Sequence, residues 1–286
     1  MKMVIPAAVF LLMISIGMSL RREQMLASYR RMTWAMWLRL LVATFIVPPA
    51  IALLLPHIFP LSLAELEGLF MVGVAPGAPL MTRNIAKRGF DMQLAAGYQV
   101  WGALLIPVMI PLMVFTAGRL YDRNIWIPPR ALLTQIAEEQ FLPLLLGMVI
   151  AYLLPVLAAK LQPKMTLIGN VVLTLAILGF LFALGPKVLK SLTLWLPVAA
   201  LVLAVGSVAA IWLLVTAPDA LTSRTLSICN ANRHIGLALL LSGQYLHAKA
   251  ALPAVASYAL IAPFVMGGLS WWFHRHEKDV APVAAQ

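Results

Sequence analysis

A short polar string interrupts one of the long apolar stretches of this chain. Residues 227–234 read Ser-Ile-Cys-Asn-Ala-Asn-Arg-His. The string combines a permanently charged guanidinium, an imidazole that titrates near neutral pH, two amides and a thiol. Such groups can bind an anion, carry a proton or line a polar passage. Placing them inside an apolar segment is costly, so we expect them to face an internal cavity and to mark a functional site.

The residues of this string admit more than one role each. Arg233 could anchor an anionic substrate, act as a fixed cation in place of a metal ion, or pair with a backbone carbonyl or a nearby acid. His234 could carry protons or be a satisfied core histidine, and the neighbouring Arg233 disfavours its protonation. Asn230 and Asn232 could line the site or cap a following half-helix. Cys229 is predicted to be a small buried apolar group.

A second interruption lies earlier in the chain. Residues 74–82 read Val-Ala-Pro-Gly-Ala-Pro-Leu-Met-Thr, so Pro76, Gly77 and Pro79 fall within an apolar run. Two prolines remove backbone donors and break a helix, and the backbone groups left unpaired must face protein or a water-filled cavity. The two interruptions occupy corresponding places in the two halves of the chain. Paired broken helices of this kind indicate a secondary transporter with its site near the middle of the bilayer.

The sequence lacks the usual marks of an enzyme. Cys229 is the only cysteine, which excludes an internal disulfide, and no CxxC or HExxH spacing is present to hold zinc. There is no nucleophile elbow, and we expect no paired carboxylates in a broken span. Glu138 and Glu139 are adjacent acids that we expect at the outer interface; a replacement cation site is the alternative. The protein is predicted to be no enzyme, without metal or cofactor.

The elements that position these residues are predicted to be membrane-spanning helices. The chain of 286 residues is 62% hydrophobic and only 11% charged, whereas a soluble domain has about 25% charged residues. Its net charge of +11 comes from short basic clusters between apolar runs, as in membrane-protein loops, and not from a nucleic-acid-binding stripe. We predict an all-α integral membrane protein with nine spans. These lie near 3–20, 32–55, 63–88, 90–117, 135–159, 165–186, 190–216, 219–243 and 249–273.

The basic residues also predict an orientation. The first span could be a signal peptide, but it lacks an A-x-A cleavage site, so we expect a retained helix. Arg21, Arg22, Arg30 and Arg31 follow it and should stay cytoplasmic under the positive-inside rule. This places the N-terminus outside and, after nine crossings, the C-terminus inside, in a bacterial inner (plasma) membrane. Residues 277–286 then form a cytoplasmic tail.

The spans divide the chain into two halves. Residues 1–117 are predicted to form an N-terminal repeat of four spans with its broken helix at 74–82. Residues 131–276 are predicted to form a C-terminal inverted repeat of five spans with its broken helix at 227–234. An ideal inverted repeat has equal halves, so one N-terminal helix is missing, either naturally or because the start codon is misplaced.

Three stretches of the sequence carry a family resemblance. Residues 17–20 read Gly-Met-Ser-Leu, Val72-Gly73 is followed by Pro76-Gly77 and Arg88-Gly89, and residues 225–228 read Thr-Leu-Ser-Ile. In these motifs the chain resembles the bile acid:sodium symporter family, including its bacterial members. The resemblance implies an inverted repeat of five helices, with a panel domain packed on a core domain where two broken helices cross. Many animal members have nine helices and lack the first. Family members import bile acids, steroid conjugates or small organic acids with sodium by alternating access.

The chain departs from the family at the positions that the resemblance assigns to sodium. Cys229 stands where the family has Glu, and Arg233 and His234 stand where it has Gln and Asn. A hard cation needs oxygen ligands, which neither a thiol nor a guanidinium supplies, so the replacements argue against sodium coupling. The altered ion-site positions are Cys229, Arg233, Met81, Thr82 and Thr44.

The predicted function is a secondary transporter of a small organic anion, bile-acid-like, a steroid conjugate or a carboxylate, working by alternating access. The alternative is a non-transporting membrane sensor or assembly subunit on the same fold. The expected partners are the lipid bilayer and the organic anion, with no nucleic acid. The predicted substrate-binding residues are Arg233, His234, Asn230, Asn232, Thr82, Gln99, Pro76 and Gly77.

Overall fold

The computed structural model describes residues 4–20, 23, 30, 32–78, 81–120, 128–191, 193–245 and 248–277. Within these ranges the regular structure is helical, apart from one isolated bridge between two extended residues. Four helical stretches there are long and apolar enough to cross a membrane: Trp34–His57, Met92–Leu120, Trp195–Leu214 and Ala251–Arg275. The all-α, multi-pass membrane architecture predicted from the sequence is thus confirmed, whereas the nine spans and the inverted repeat stay predictions.

The helices are numbered here in chain order. Short π-helical turns join α2 to α3 (Val42–Ile46) and α7 to α8 (Ala137–Phe141), and a 3-10 turn, Leu55–His57, follows α3. The bounds are α1 Val4–Ser19, α2 Trp34–Leu41, α3 Val47–Leu54, α4 Leu63–Val74, α5 Met81–Lys87, α6 Met92–Leu120, α7 Pro129–Ile136, α8 Leu142–Leu153, α9 Pro155–Ser191, α10 Trp195–Leu214, α11 Ala220–Ala231, α12 Ile235–Tyr245 and α13 Ala248–Glu277.

Side chains at the helix starts fix where the two broken helices begin. Ser62 caps α4 in a reciprocal capping box, in which its hydroxyl oxygen accepts from the Glu65 backbone N–H and its own N–H donates to the Glu65 carboxylate. Asp219 caps α11, where its carboxylate accepts from the Thr222 backbone N–H at 2.7 Å. Both caps satisfy backbone donors that would otherwise lack partners at a helix end.

The helices pack in two groups. Helices α1, α8 and α9 pack against one another, while α2 to α6 and α10 to α13 surround the two helix breaks. In the first group α1 and α8 approach closely, because Gly17 lies against the backbone of Gly147 and a side chain at either position would collide with the opposite helix. We call the boundary between the groups the seam. It is lined by apolar residues of α1 and α6, among them Met13, Ile16 and Ala96.

Two of the predicted boundaries are wrong. The predicted gap between the fifth and sixth spans, at 160–164, lies inside α9, and the chain turns instead at Leu154. Pro155 explains this position, since it has no N–H to lose at the first residue of a helix. The second interruption is also shorter than predicted. Residues 227–231 are helical, and only Asn232, Arg233 and His234 lie between α11 and α12.

Candidate functional site

The two helix breaks meet and pair through their backbones. Pro76 and Arg233 form an antiparallel bridge. The His234 backbone N–H donates to the Ala75 carbonyl at 2.8 Å, and the Ala78 N–H donates to the Asn232 carbonyl at 3.4 Å. Each break therefore satisfies some of the polar groups that the other exposes, as buried backbone requires. We call this place the crossing. Pro79 and Leu80 lie outside the described residues.

Gly77 gives the first break its path. Its φ is +72°, a left-handed conformation that costs an L-residue about 1–2 kcal/mol and a glycine almost nothing. Gly77 also packs against helix α6, where a Cβ on it would contact the backbone of Gln99. The Pro76-Gly77 pair predicted from the sequence is thus part of the crossing.

The guanidinium of Arg233 lies enclosed among oxygen atoms. Its Nη1 donates to the carbonyls of Thr44 at 3.0 Å and of Gly73 at 3.2 Å, and its Nη2 donates to Asn230 Oδ1 at 3.1 Å. Gly73 belongs to the last turn of α4, where carbonyls lack intrahelical partners. Thr44 lies in the π-helical turn, a geometry that is frequent at functional sites. Arg233 is only 2% exposed.

Asn230 connects three helical segments at the crossing. Its Nδ2 donates to the carbonyls of Ala43 and Ser207, at 3.0 and 2.7 Å. Its Oδ1 accepts from Arg233 and from the Tyr98 hydroxyl, the latter at 3.0 Å. An amide has two donor hydrogens and two acceptor lone pairs, so Asn230 uses its full hydrogen-bonding capacity within the protein.

His234 acts at the start of α12. Its Nδ1 accepts from the Leu237 backbone N–H at 3.0 Å, which is the bond that a capping side chain makes. An Nδ1 that accepts carries no proton, so the imidazole is the neutral tautomer protonated on Nε2. Of the two roles considered for His234, this geometry supports the satisfied core histidine.

A second polar pair lies between α5 and α6. The Thr82 hydroxyl donates to Gln99 Oε1 at 2.7 Å, and Gln99 Nε2 reaches the sulfur of Met13 at 3.9 Å. Met13 belongs to α1, so this contact crosses the seam. The predicted site residues are therefore found at the crossing and at the seam beside it.

The comparison with known families agrees with the motifs at the first break. The family model described as the Sodium Bile acid symporter family matches residues 6–192, more than half of the chain. This chain belongs to that family. The sodium bile acid symporter family is one of transporters and not of enzymes, which places the protein among bile acid/sodium-type transporters at the level of the family. No curated protein matches the sequence.

The family match ends before the second break. Among the positions predicted from the sequence as an altered ion site are Cys229, Met81 and Thr44. Cys229 is 1% exposed, and its thiol is free. Met81 is fully buried in the apolar core. Thr44 contributes its carbonyl to Arg233, while its hydroxyl bonds to that of Tyr98 at 3.2 Å. Asn232 is 7% exposed, and its Nδ2 has no hydrogen-bond partner among the described residues. A buried donor of this kind costs about 1–3 kcal/mol unless an acceptor reaches it.

Several buried polar residues were not expected from the sequence. Two buried acids, Glu65 and Glu67, lie in the broken span, where no paired carboxylates were expected. Their two-residue spacing places them on different faces of α4, and both Glu65 oxygens are bonded, to Ser62 and to Thr193. Tyr258 was also missed; its hydroxyl donates to the Ala231 carbonyl at 2.7 Å. Glu138 is exposed, and the side chain of Glu139 lies outside the described residues.

Proposed function

We propose that this protein is a secondary transporter of a small organic anion, and that the guanidinium of Arg233 takes the place of a coupled sodium ion. The observation that carries the proposal is the enclosure of Arg233 by the Thr44 carbonyl, the Gly73 carbonyl and Asn230 Oδ1. Neutral oxygens converging from separate segments are the surroundings that a hard cation prefers. Here a side-chain cation uses them.

A sodium ion beside this guanidinium would be repelled. Two unit charges about 4 Å apart at an effective dielectric constant of about 20 repel by about 4 kcal/mol, a factor of nearly 10³ in occupancy. The oxygens that would offset this cost already accept hydrogen bonds from Arg233. Transport in this proposal therefore needs no sodium gradient, because the positive charge at the crossing is permanent.

The direct polar contacts to the anion are assigned to other residues. Arg233 is 2% exposed and both of its Nη atoms donate to protein oxygens, so we assign to it the positive potential at the crossing. Asn232 offers an Nδ2 that has no partner among the residues that the structure describes. Thr82 and Gln99, which are bonded to each other, place a hydroxyl and an amide beside the seam and would exchange this bond for one to the anion. The remaining candidates, His234, Asn230, Pro76 and Gly77, form the frame that holds these groups.

Uptake into proteoliposomes tests the proposal. The full chain is reconstituted, and entry of labelled taurocholate, pantoate and pyruvate is followed with an inward sodium gradient, with potassium in its place, and with a proton gradient. We expect at least one anion to enter at the same rate with sodium or potassium. Sodium-dependent uptake would overturn the role of Arg233. Binding of an anion without any uptake would instead favour a sensor or assembly subunit.

A further inference from the structure

A cavity of about 170 Å³ lies on the seam. The residues that line it do not include those that pair at the crossing. Its walls come from both packing groups: α1 and α9 on one side, α5 and the first residue of α6 on the other. A volume of this size holds several water molecules or one small anionic group. We call it the seam cavity.

Three helices each present a pair of polar residues to the seam cavity, spaced four apart. Helix α5 presents Arg83 and Lys87, α1 presents Ser15 and Ser19, and α9 presents Gln162 and Thr166. Residues four apart lie on the same face of a helix, so each pair points to the cavity from one wall. The residues that line it include no acid, so the cavity carries a positive charge.

The position of the two cations is unfavourable without a counter-charge. Arg83 is half-buried, and like charges four residues apart destabilise a helix. Neither Arg83 nor Lys87 forms a hydrogen bond or ion pair with the residues that the structure describes. Partial burial weakens the screening of the Arg83 charge by water, so an anion in the seam cavity would stabilise Arg83 most and the exposed Lys87 less.

The other polar side chains that line the seam cavity can donate hydrogen bonds to a ligand with several oxygen atoms. The hydroxyl of Ser15 contacts that of Thr166 and donates to the Gln162 carbonyl at 3.1 Å. The Ser19 hydroxyl donates to Ile16 within its own helix at 2.7 Å. These hydroxyls can rotate toward a ligand, and they would reach it from different walls. A tetrahedral oxyanion presents oxygens in all these directions, whereas a planar carboxylate presents two in one plane.

We propose that the seam cavity binds a tetrahedral oxyanion of the phosphate or sulfate type, held by Arg83 and Lys87 and by the hydroxyls of Ser15, Ser19 and Thr166. The ligand is either a free anion or the phosphate of an anionic lipid headgroup. Both sources have the same charge and the same acceptor geometry, and the test separates them. The site is distinct from the crossing, and its binding is measured without transport.

The test is thermal unfolding of the full chain in phosphatidylcholine nanodiscs, titrated with inorganic phosphate, sulfate or acetate at constant ionic strength. A ligand that binds only the folded state raises the unfolding temperature in proportion to its occupancy. We expect stabilisation by phosphate and sulfate at concentrations at least about tenfold below those needed for acetate. A second set of nanodiscs containing phosphatidylglycerol, with no added phosphate, tests the lipid source.

Two matched variants decide whether the seam cavity is responsible. Arg83→Gln with Lys87→Gln removes both cavity cations, and we expect the apparent phosphate affinity to fall at least about tenfold. Lys160→Gln with Lys164→Gln removes two exposed cations of α9 that do not line the cavity, and should leave the response unchanged. If the first pair fails to fold, Lys87→Gln alone, at an exposed position, should weaken the response.

Each outcome bears on the proposal. Stabilisation by phosphate that depends on Arg83 and Lys87 supports a free anion, and the same dependence seen only with phosphatidylglycerol supports a lipid headgroup. An equal response in both double variants would show non-specific binding and overturn the site. So would the absence of any response to phosphate, sulfate and phosphatidylglycerol in the unaltered chain.

Discussion

At the scale of single residues, the crossing is a set of backbone carbonyls held by two side chains. Asn230 and Arg233 together bond four carbonyls, those of Ala43, Thr44, Gly73 and Ser207. A buried carbonyl that loses its donor costs about 1–3 kcal/mol, so both side chains stabilise the π-helical turn. Arg233 also stabilises the end of α4 and supplies the charge, and Asn230 also stabilises α10. Substitutions of Arg233 can separate the effect of its positive charge from the effect of its hydrogen bonds.

Arg233→Lys and Arg233→Gln separate the two contributions. Lysine keeps the positive charge, so we expect sodium-independent uptake to persist at a reduced rate. Glutamine keeps some hydrogen bonding but removes the charge, so we expect uptake to be lost or to become sodium-dependent, with an unfolding free energy lower by about 1–3 kcal/mol. Arg224→Gln, on the preceding helix α11 with its guanidinium over the ring of Phe273, is the control. Undiminished sodium-independent uptake in both Arg233→Gln and Arg233→Glu would contradict the role assigned to Arg233.

The types of residue at the crossing could be predicted from the sequence, whereas their hydrogen-bond partners could not. An arginine between an asparagine and a histidine in an apolar run is enough to predict a buried functional group. Its hydrogen bonds to Thr44 and Gly73 join residues far apart in the chain through backbone atoms, which carry no sequence signature. For the same reason the fourfold bonding of Asn230 could not be read from composition or spacing.

At the scale of helices, proline and glycine made the breaks predictable, whereas tertiary contacts fixed their extent. Pro76 and Gly77 end α4 as expected, because proline removes a donor and glycine adopts positive φ. Residues 227–231 were expected to belong to the break but stay helical. Ser227 donates to the Ser223 carbonyl within α11, and Asn230 finds its partners in neighbouring helical segments. The π-helical turn at Val42–Ile46 was not predicted, since one extra residue in a turn does not alter the apolar pattern.

The contact between α1 and α8 gives a prediction at this scale. A Cβ on Gly17 would collide with the Leu144 carbonyl, and one on Gly147 with the Ile14 carbonyl. Small residues allow such close approach of membrane helices. We expect Gly17→Ala or Gly147→Ala to separate the helices and to lower the unfolding free energy by about 1–3 kcal/mol, measured by thermal unfolding in detergent.

Gly102→Ala on α6 is the matched control, because a Cβ there meets nothing within 4 Å. Alanine in the middle of a helix is favoured over glycine by about 1 kcal/mol, so this variant should be as stable as the unaltered protein or more so. Equal stability of Gly17→Ala and Gly102→Ala would mean that the close contact between α1 and α8 does not contribute to the fold.

At the scale of the whole molecule, the seam separates two groups of helices that meet through small and flexible apolar side chains. Met13, Ile16 and Ala96 form a small cluster there, separate from the main core around the crossing. We expect one group to slide or rotate past the other along this surface. Both the crossing and the seam cavity would then be opened and closed by relative movement of the groups.

Cross-linking across the seam tests this movement. Ile16→Cys with Ala96→Cys places two thiols in the cluster that joins the groups, in a Cys229→Ala background so that only the introduced thiols react. If transport requires the groups to move, a short bifunctional maleimide should stop anion uptake in this variant. Met18→Cys with Ala158→Cys places two thiols within the first group and should retain uptake after the same treatment, because this cross-link does not join the two groups. Equal uptake in the two cross-linked proteins, with cross-linking verified by mass spectrometry, would show that transport does not depend on movement at the seam.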